Sequence, residues 1–511
     1  MNESRVKKSL LNARVNLICY FVSLLVAFFT RKIFLDRLGD EFIGFTGTLQ
    51  SLLGFLNLAE LGVASAIGYV LYKPIFDEDH AKINEIISVF GYLYRCIGLF
   101  ILSAGIILSC FLPLIFPHTN LSWGVIYLGF YAYLSASMLG YFVNYKMTLL
   151  AADQRNYVVT GYYQAITTSK VILQIILAVT IGSFYIYFVL ELFAGIVNSA
   201  LLQWKINKTY PWLDSEVKLG RKLFKKYPEI GTYVKQLFMH KIGEFVQFQL
   251  SPFLIYAYVS LPVVALYGNY TMVTQRIQSL VGALLNSTGA GVGNLISEGN
   301  RDKIYAIYKE LLALRVFIAG FFTVSIYMLI DHFIGVWLGN EYEMSQLIVI
   351  LICAQFFLAV VRGATDQFIF GYGLFYDVWA PLTEAGIFVL FSTVFGSLYG
   401  LPGVLAGPLA SIFIIVYLWK PYFLFSKGFR YSVFRFWLLL GRYLAVLTLA
   451  SVVAIQLFHR IQIAMPYESN WLSWIMESCI FSAIMFIVAF ICFLSIGEFR
   501  AFVSRFVKSK L

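Results

Sequence analysis

Charged side chains are scarce in this chain: 38 Lys and Arg and 27 Asp and Glu among 511 residues, 13% in all. With 60% apolar residues and a mean hydropathy of +0.78, that scarcity excludes a soluble globular protein, which carries about one charged residue in four. Cysteine is sparse too, and unorganised. Cys19, Cys96, Cys110, Cys353, Cys479 and Cys492 all fall in apolar segments, with no CxxC pair and no Cys/His grouping. Neither a disulfide framework nor a zinc site is expected, and these cysteines are read as packing residues. No cofactor is implied. A catalytic constellation is also lacking. Asp77-Glu78-Asp79 contains DxD by letters, but no glycosyltransferase domain stands behind this acidic turn, so a metal-assisted transferase or a polysaccharide polymerase fits poorly and no catalytic residue is named.

What the chain has is one apolar run after another, each near or above the roughly 20 residues needed to cross hydrocarbon as a helix. The spans lie at roughly 13–35, 42–72, 84–116, 122–149, 157–180, 184–204, 229–257, 263–297, 304–331, 344–371, 380–398, 402–424, 434–457 and 473–496. That is about fourteen helices, and it predicts an all-α integral membrane protein. MNESRVKKSLLNARVN resembles the n-region of a signal peptide, but a long apolar run without a clean small-residue cleavage site follows it. It is read as an uncleaved first span.

The net charge of +11 does not point to nucleic acid, because the basic residues crowd the ends of spans instead of forming one patch with aromatic platforms. About twenty-five of them fall on one side of the count and about four on the other, which places both termini in the cytoplasm by the positive-inside rule. The exception is 30–41, counted as the first outside loop although it holds Arg31, Lys32 and Arg37. The longest polar insertion, 205–228, separates six spans from eight and reads as a hinge or as a basic segment on anionic headgroups. The expected layout is an N-terminal lobe (1–204), this linker, a C-terminal lobe (229–424) and two added helices with a cytoplasmic tail (425–511). A faint repeat, 64–86 against 290–307, makes the two six-helix lobes pseudo-symmetric around a central cavity.

Ionisable groups inside spans are costly and normally face protein or water. Gln236, His240, Glu244 and Gln247, with Lys241 beside them, form a stripe on one face of the seventh span. The eighth carries Gln275 and Arg276; Arg95 lies in the third, Lys170 with Gln174 in the fifth, and Arg362 with Asp366 in the tenth. Arg362 and Asp366 are spaced as an i, i+4 ion pair. Arg315, near a membrane edge, is read as snorkelling. A cavity lined by unpaired cations would attract an anion, phosphate above all. Small residues at Gly62, Ala64, Ala66 and Gly68, and at Gly282, Gly289, Gly291 and Gly293, allow close helix approach.

The segment RKIFLDRLGDEFIGFTGTLQSLLGFLNLAELGVASAIGYVLYKP (31–74) resembles the start of the Wzx-type polysaccharide flippases of the MOP superfamily, which also holds the MATE exporters and the lipid II flippases. Arg31, Leu38, Gly39, Gly44, Leu58, Gly62 and Tyr72-Lys73-Pro74 carry the resemblance. It implies movement of an undecaprenyl-pyrophosphate-linked oligosaccharide across the bacterial inner membrane for O-antigen, capsule or exopolysaccharide assembly. It also implies alternating access, coupling to H+ or Na+, and polysaccharide polymerase machinery as partner, with no enzymatic step. The candidate substrate-contacting residues are then Arg31, Arg95, Lys170, Gln174, His240, Lys241, Gln275, Arg276 and Arg362, and the candidate coupling residues are Glu60, Glu244 and Asp366. Glu60 either pairs with a cation such as Arg95 or takes up a proton during the cycle. A MATE-like exporter of cations shares the fold and would rely on such carboxylates.

Overall fold

The computed structural model describes residues 5–508 apart from 61, 118, 154, 287–291, 293–294, 297–298, 375–376, 378 and 463–469. Within helices some side chains are also outside the description, among them 236–237 and 239–249. The described residues form helices and no strands, because a chain in hydrocarbon must satisfy its backbone groups within each segment. The longer helices are α1 (Arg5–Leu56), α2 (Val63–Phe76), α3 (His80–Cys110), α4 (Trp123–Phe142), α5 (Asn156–Thr180), α6 (Phe184–Thr209), α7 (Pro228–Tyr258) and α8 (Leu261–Asn286). They continue with α9 (Arg301–Trp337), α10 (Gln346–Gly371), α11 (Trp379–Tyr399), α12 (Leu401–Phe429), α13 (Phe434–Gln462), α14 (Trp471–Phe493) and α15 (Gly497–Lys508).

Among the described residues, eleven helices are long and apolar enough to cross a membrane. The sequence count was about fourteen. Arg14–Leu56 counts once although it bends at Gly39, and α7 and α8, with their polar residues, are not among the eleven.

Three glycines shape the start of the chain. Gly39 sits inside α1 with φ 83° and ψ 161°, a conformation that a side chain would resist, so two helical runs meet there at an angle. Gly62 is left-handed at φ 88° and separates α2 from the 3-10 turn Asn57–Glu60. Gly44 lies against the start of α8: a Cβ there would fall 1.9 Å from the Leu261 carbonyl oxygen. The expected outside loop at 30–41 is corrected, because Arg31, Lys32 and Arg37 are on the helix and only Gly39 interrupts it. Glu41, just past the bend, accepts from the Thr119 hydroxyl (2.8 Å) and the Asn120 amide (2.7 Å).

The chain divides into two compact units, Met1–Ala265 and Leu266–Leu511. In the first, α1 packs on α5 and α7, α4 on α3 and α6, and α2 on α3 and α7. Aromatic rings fill its interior, with Phe42 stacked on Phe184 at 4.5 Å. The polar segment after α6 is docked on α3. Asn84 accepts from the Asp214 amide (3.1 Å), and the Ser88 hydroxyl accepts from the Glu216 amide (2.9 Å). Glu85 binds Lys226 at 2.7 Å and accepts from the Tyr227 hydroxyl. Burial, and then the Glu85 carboxylate, pushes the Tyr227 hydroxyl well above its ordinary pKa, which keeps it a donor. His80 stacks on Trp212 at 3.8 Å. Residues 212–227 are thus a fastened strap on α3.

In the second unit α9 is the central helix, packed by α10, α13, α14 and α15. Arg315 on α9 is buried at 4% exposure, so the snorkelling reading is corrected: its Nη1 donates to the Val360 carbonyl (3.1 Å). Gly363 leaves room for it, since a Cβ there would stand 2.3 Å from that nitrogen. α11 and α12 form a tight hairpin over Gly403 and Gly407. A Cβ on Gly403 would lie 1.9 Å from the Phe395 oxygen, and one on Gly407 1.9 Å from Ser392 Oγ. This small-xxx-small pair, in a helix not singled out from the sequence, lets the backbones touch.

Gly403→Ala and Gly407→Ala should each cost about 1–3 kcal/mol by overpacking, read as a lower midpoint of thermal unfolding in detergent. Gly386→Ala on α11, where a Cβ meets nothing within 4 Å, should leave the midpoint unchanged.

Candidate functional site

Each unit contains a cluster of ionisable or hydrogen-bonding side chains within its helices. In the first unit the break between α1 and α2 builds one. Asn57–Glu60 is a 3-10 turn, and i and i+3 side chains eclipse in that geometry, so Asn57 and Glu60 project the same way. They meet α3 and α4. Tyr94 donates to Glu60 Oε1, and Tyr141 donates to Glu60 Oε2 at 2.7 Å. Asn57 Oδ1 lies 3.1 Å from the Tyr141 hydroxyl and 3.3 Å from Ser137 Oγ. The carboxylate therefore sits at a helix break, held by two phenols. Arg95, one residue beyond Tyr94, points elsewhere: it is exposed and forms no ion pair with any described carboxylate. Glu60 has hydroxyl partners, and Arg95 is not its counter-ion.

A second cluster joins α5 and α6. Lys170 Nζ lies 2.7 Å from Glu191 Oε1. Gln174, 3% exposed, donates to the same oxygen and to the Tyr187 carbonyl, each at 3.2 Å. Gln50 donates to the Tyr133 hydroxyl (3.2 Å). Arg31 lies elsewhere on α1 and donates to the Ala265 carbonyl at 2.7 Å.

In the second unit α10, α11 and α12 bring together Arg362, Asp366, Glu384 and Lys420. Asp366 accepts from Arg362 Nε at 3.0 Å and from Lys420 Nζ at 2.9 Å; Arg362 Nη1 is 3.8 Å from Glu384. Lys420 stands between two π-helical stretches of α12, Ile412–Trp419 and Leu424–Phe429. Pro421 follows it, and a proline removes one amide from the helix ladder. Such π segments re-aim side chains and are frequent at functional sites.

The i, i+4 pairing of Arg362 with Asp366 is present as expected, whereas the expectation of unpaired cations is corrected at Lys170, which has a carboxylate. Gln275 is exposed and Arg276 half-buried on α8. The side chains of Gln236, His240, Lys241, Glu244 and Gln247 lie outside the described residues, as do Gly289, Gly291, Gly293 and much of the 290–307 repeat. Sequence reasoning missed Glu191, Glu384 and Lys420. A usable signal existed: each is a lone charge in an apolar run, and such a charge requires a partner.

Neither a protein-family model nor a curated protein sequence matches the chain. Solved structures do. A lipid II flippase MurJ in an inward closed conformation aligns with a TM-score of 0.65 at 14% identity, covering 93% of this chain and 97% of its own. The chain has the fold of the MOP-superfamily transporters. An inward-facing multidrug resistance MATE transporter of that superfamily aligns at 0.57 and 13% identity, over 80% of this chain and 94% of its own. A MOP transporter from Pyrococcus furiosus, described as having a binding pocket of reverse polarity, aligns at 0.51 and 16%, over 83% and 97%.

If the Asp366 cluster is a coupled unit, Asp366→Asn and Lys420→Met will each destabilise the protein, and the double variant will lose less than the sum. The coupling energy from thermal or denaturant unfolding in detergent should fall in the range of about 0.5–3 kcal/mol.

Proposed function

We propose that this protein is a lipid-linked oligosaccharide flippase. It moves an undecaprenyl-pyrophosphate-linked repeat unit across the bacterial inner membrane for O-antigen, capsule or exopolysaccharide synthesis, with both termini cytoplasmic. The supporting observation is the extent of the fold likeness: the alignment to a lipid II flippase takes in 93% of the chain, against 80% for the MATE transporter. A polar lipid headgroup crossing the bilayer needs an aqueous, polar route, and the intramembrane clusters supply polar groups for one. The 31–74 resemblance narrows the cargo to a glycan on a polyprenyl carrier. Polymerase machinery is the partner that would receive it.

Coupling is assigned to Glu60. A carboxylate held by phenols, with no cation on it among the described residues, can exchange a proton or Na+ for the inward passage that drives export, while the Asp366 carboxylate is already engaged by Arg362 and Lys420. The same observation favours a second reading, a MATE-like exporter of organic cations, since Lys170 and Arg362 are each paired with a carboxylate and the partners of Glu60 are hydroxyls.

The deciding measurement uses proteoliposomes with a fluorescent undecaprenyl-pyrophosphate glycan and a membrane-impermeant quencher. Faster leaflet exchange than in protein-free vesicles is expected, and it should increase under an imposed proton or sodium gradient. No acceleration under either gradient would shift the assignment to the cation exporter. Glu60→Gln should abolish the gradient dependence, whereas a variant with unchanged dependence on pH and Na+ would remove Glu60 from coupling.

A further inference from the structure

The strap on α3 and the unpaired Arg95 belong together. Ser88, Tyr92 and Arg95 are four and three residues apart, so they follow one another on a single face of α3. The strap covers the first part of that face. Gly220 is pressed against it so closely that a Cβ would stand 2.4 Å from the Tyr92 Cβ and 2.5 Å from the Ser88 carbonyl oxygen. The next residue, Arg221, acts electrostatically on the Tyr92 side chain and is exposed, as is Lys222. Arg95 emerges about one turn further along, where the cover ends.

Arg221 thus follows the glycine pressed on Tyr92, and Arg95 lies one turn beyond Tyr92 on the same face of α3. Among the described residues neither is in an ion pair with a carboxylate: Glu85 is engaged by Lys226, and Asp214 and Glu216 of the strap form no ion pair with Arg95 or Arg221. The surroundings of Arg95 are apolar, with Leu99 and Phe100 exposed on the following turn. An arginine at the edge of an apolar face, with the backbone that carries a second arginine docked on the preceding turn of the same face, calls for an anion that also brings hydrocarbon. A lipid phosphate does both, and the planar guanidinium matches two of its oxygens.

We propose that Arg95 and Arg221 form a binding site for an anionic phospholipid headgroup of the phosphatidylglycerol type, with the acyl chains lying along the Leu99 and Phe100 face of α3. The site does not depend on what the protein transports. Headgroup sites of this kind are built from Lys and Arg beside apolar surface.

Native mass spectrometry of the protein released from nanodiscs of phosphatidylcholine with a minority of phosphatidylglycerol tests this. The wild type should retain phosphatidylglycerol selectively. Arg95→Gln and Arg221→Gln should each lower retention roughly fivefold, as the loss of one headgroup cation predicts. Arg95→Lys should restore part of it, and Arg460→Gln, exposed near the end of α13, should change nothing. Equal retention by the double variant, equal loss in Arg460→Gln, or retention of phosphatidylcholine at the same level would overturn the site. Preferential displacement by a polyprenyl diphosphate would overturn the phospholipid as its occupant. Both arginines are exposed, so the variants should fold, which an unchanged unfolding midpoint would verify.

Discussion

A helix in hydrocarbon must close its own hydrogen bonds, and every departure from that rule has to be answered by neighbouring protein. The notable positions of this chain are where the rule is relaxed. At Gly62 the backbone turns left-handed, and the freed 3-10 turn carries Asn57 and Glu60 to the phenols of Tyr94 and Tyr141. At Pro421 the ladder widens into π turns, and Lys420 reaches Asp366. At Gly39 a long helix changes direction, and Glu41 ties down the residues after α3. Polar chemistry and broken backbone occur together because each makes the other tolerable: the side chains answer open backbone groups, and the break leaves room for the side chains.

The same economy governs charge. Lys170 with Glu191 and Arg362 with Asp366 and Glu384 are pairs whose members are largely withdrawn from solvent, and buried Glu310 is met by an exposed Arg505. Removing one member of such a pair is far more costly than never having had it, because a lone charge remains in low dielectric. Such pairs favour a small set of helix arrangements. Among the described residues Arg95, with no such carboxylate, and Glu60, with hydroxyls in place of a cation, are two departures, and both lie where α3 meets other segments of the first unit.

The class of fold was legible because hydropathy acts over about 20 residues at a time and needs no tertiary information. The glycines of 31–74 could be picked out as a pattern, but their reasons could not. A positive φ at Gly39 and a carbonyl 1.9 Å from a notional Cβ at Gly44 are properties of the packed chain. Arg362 and Asp366 were readable as a pair since four residues is one helical turn. Lys170 and Glu191 were not, because 21 residues and a turn between helices separate them. Arg315 was misjudged for a related reason: its proximity in sequence to Lys309 and Glu310 suggested an edge, while Gly363, on another helix, provides the space that buries it. The strap at 212–227 looked like a polar linker because the groups that hold it, Asn84, Glu85 and Ser88, are ordinary polar residues far away in sequence.

α15 adds a constraint on timing. Phe499 packs into the rings of Phe317, Phe490 and Phe493, Glu498 reaches Lys309 and Arg442, and Arg505 donates to Glu310 at 2.8 Å across a sequence separation of 195 residues. Glu310 is 5% exposed. During synthesis, α9 is therefore made well before the arginine that hydrogen-bonds its Glu310. The central helix of the second unit gains this contact only after Arg505 has been made and α15 has folded back onto it.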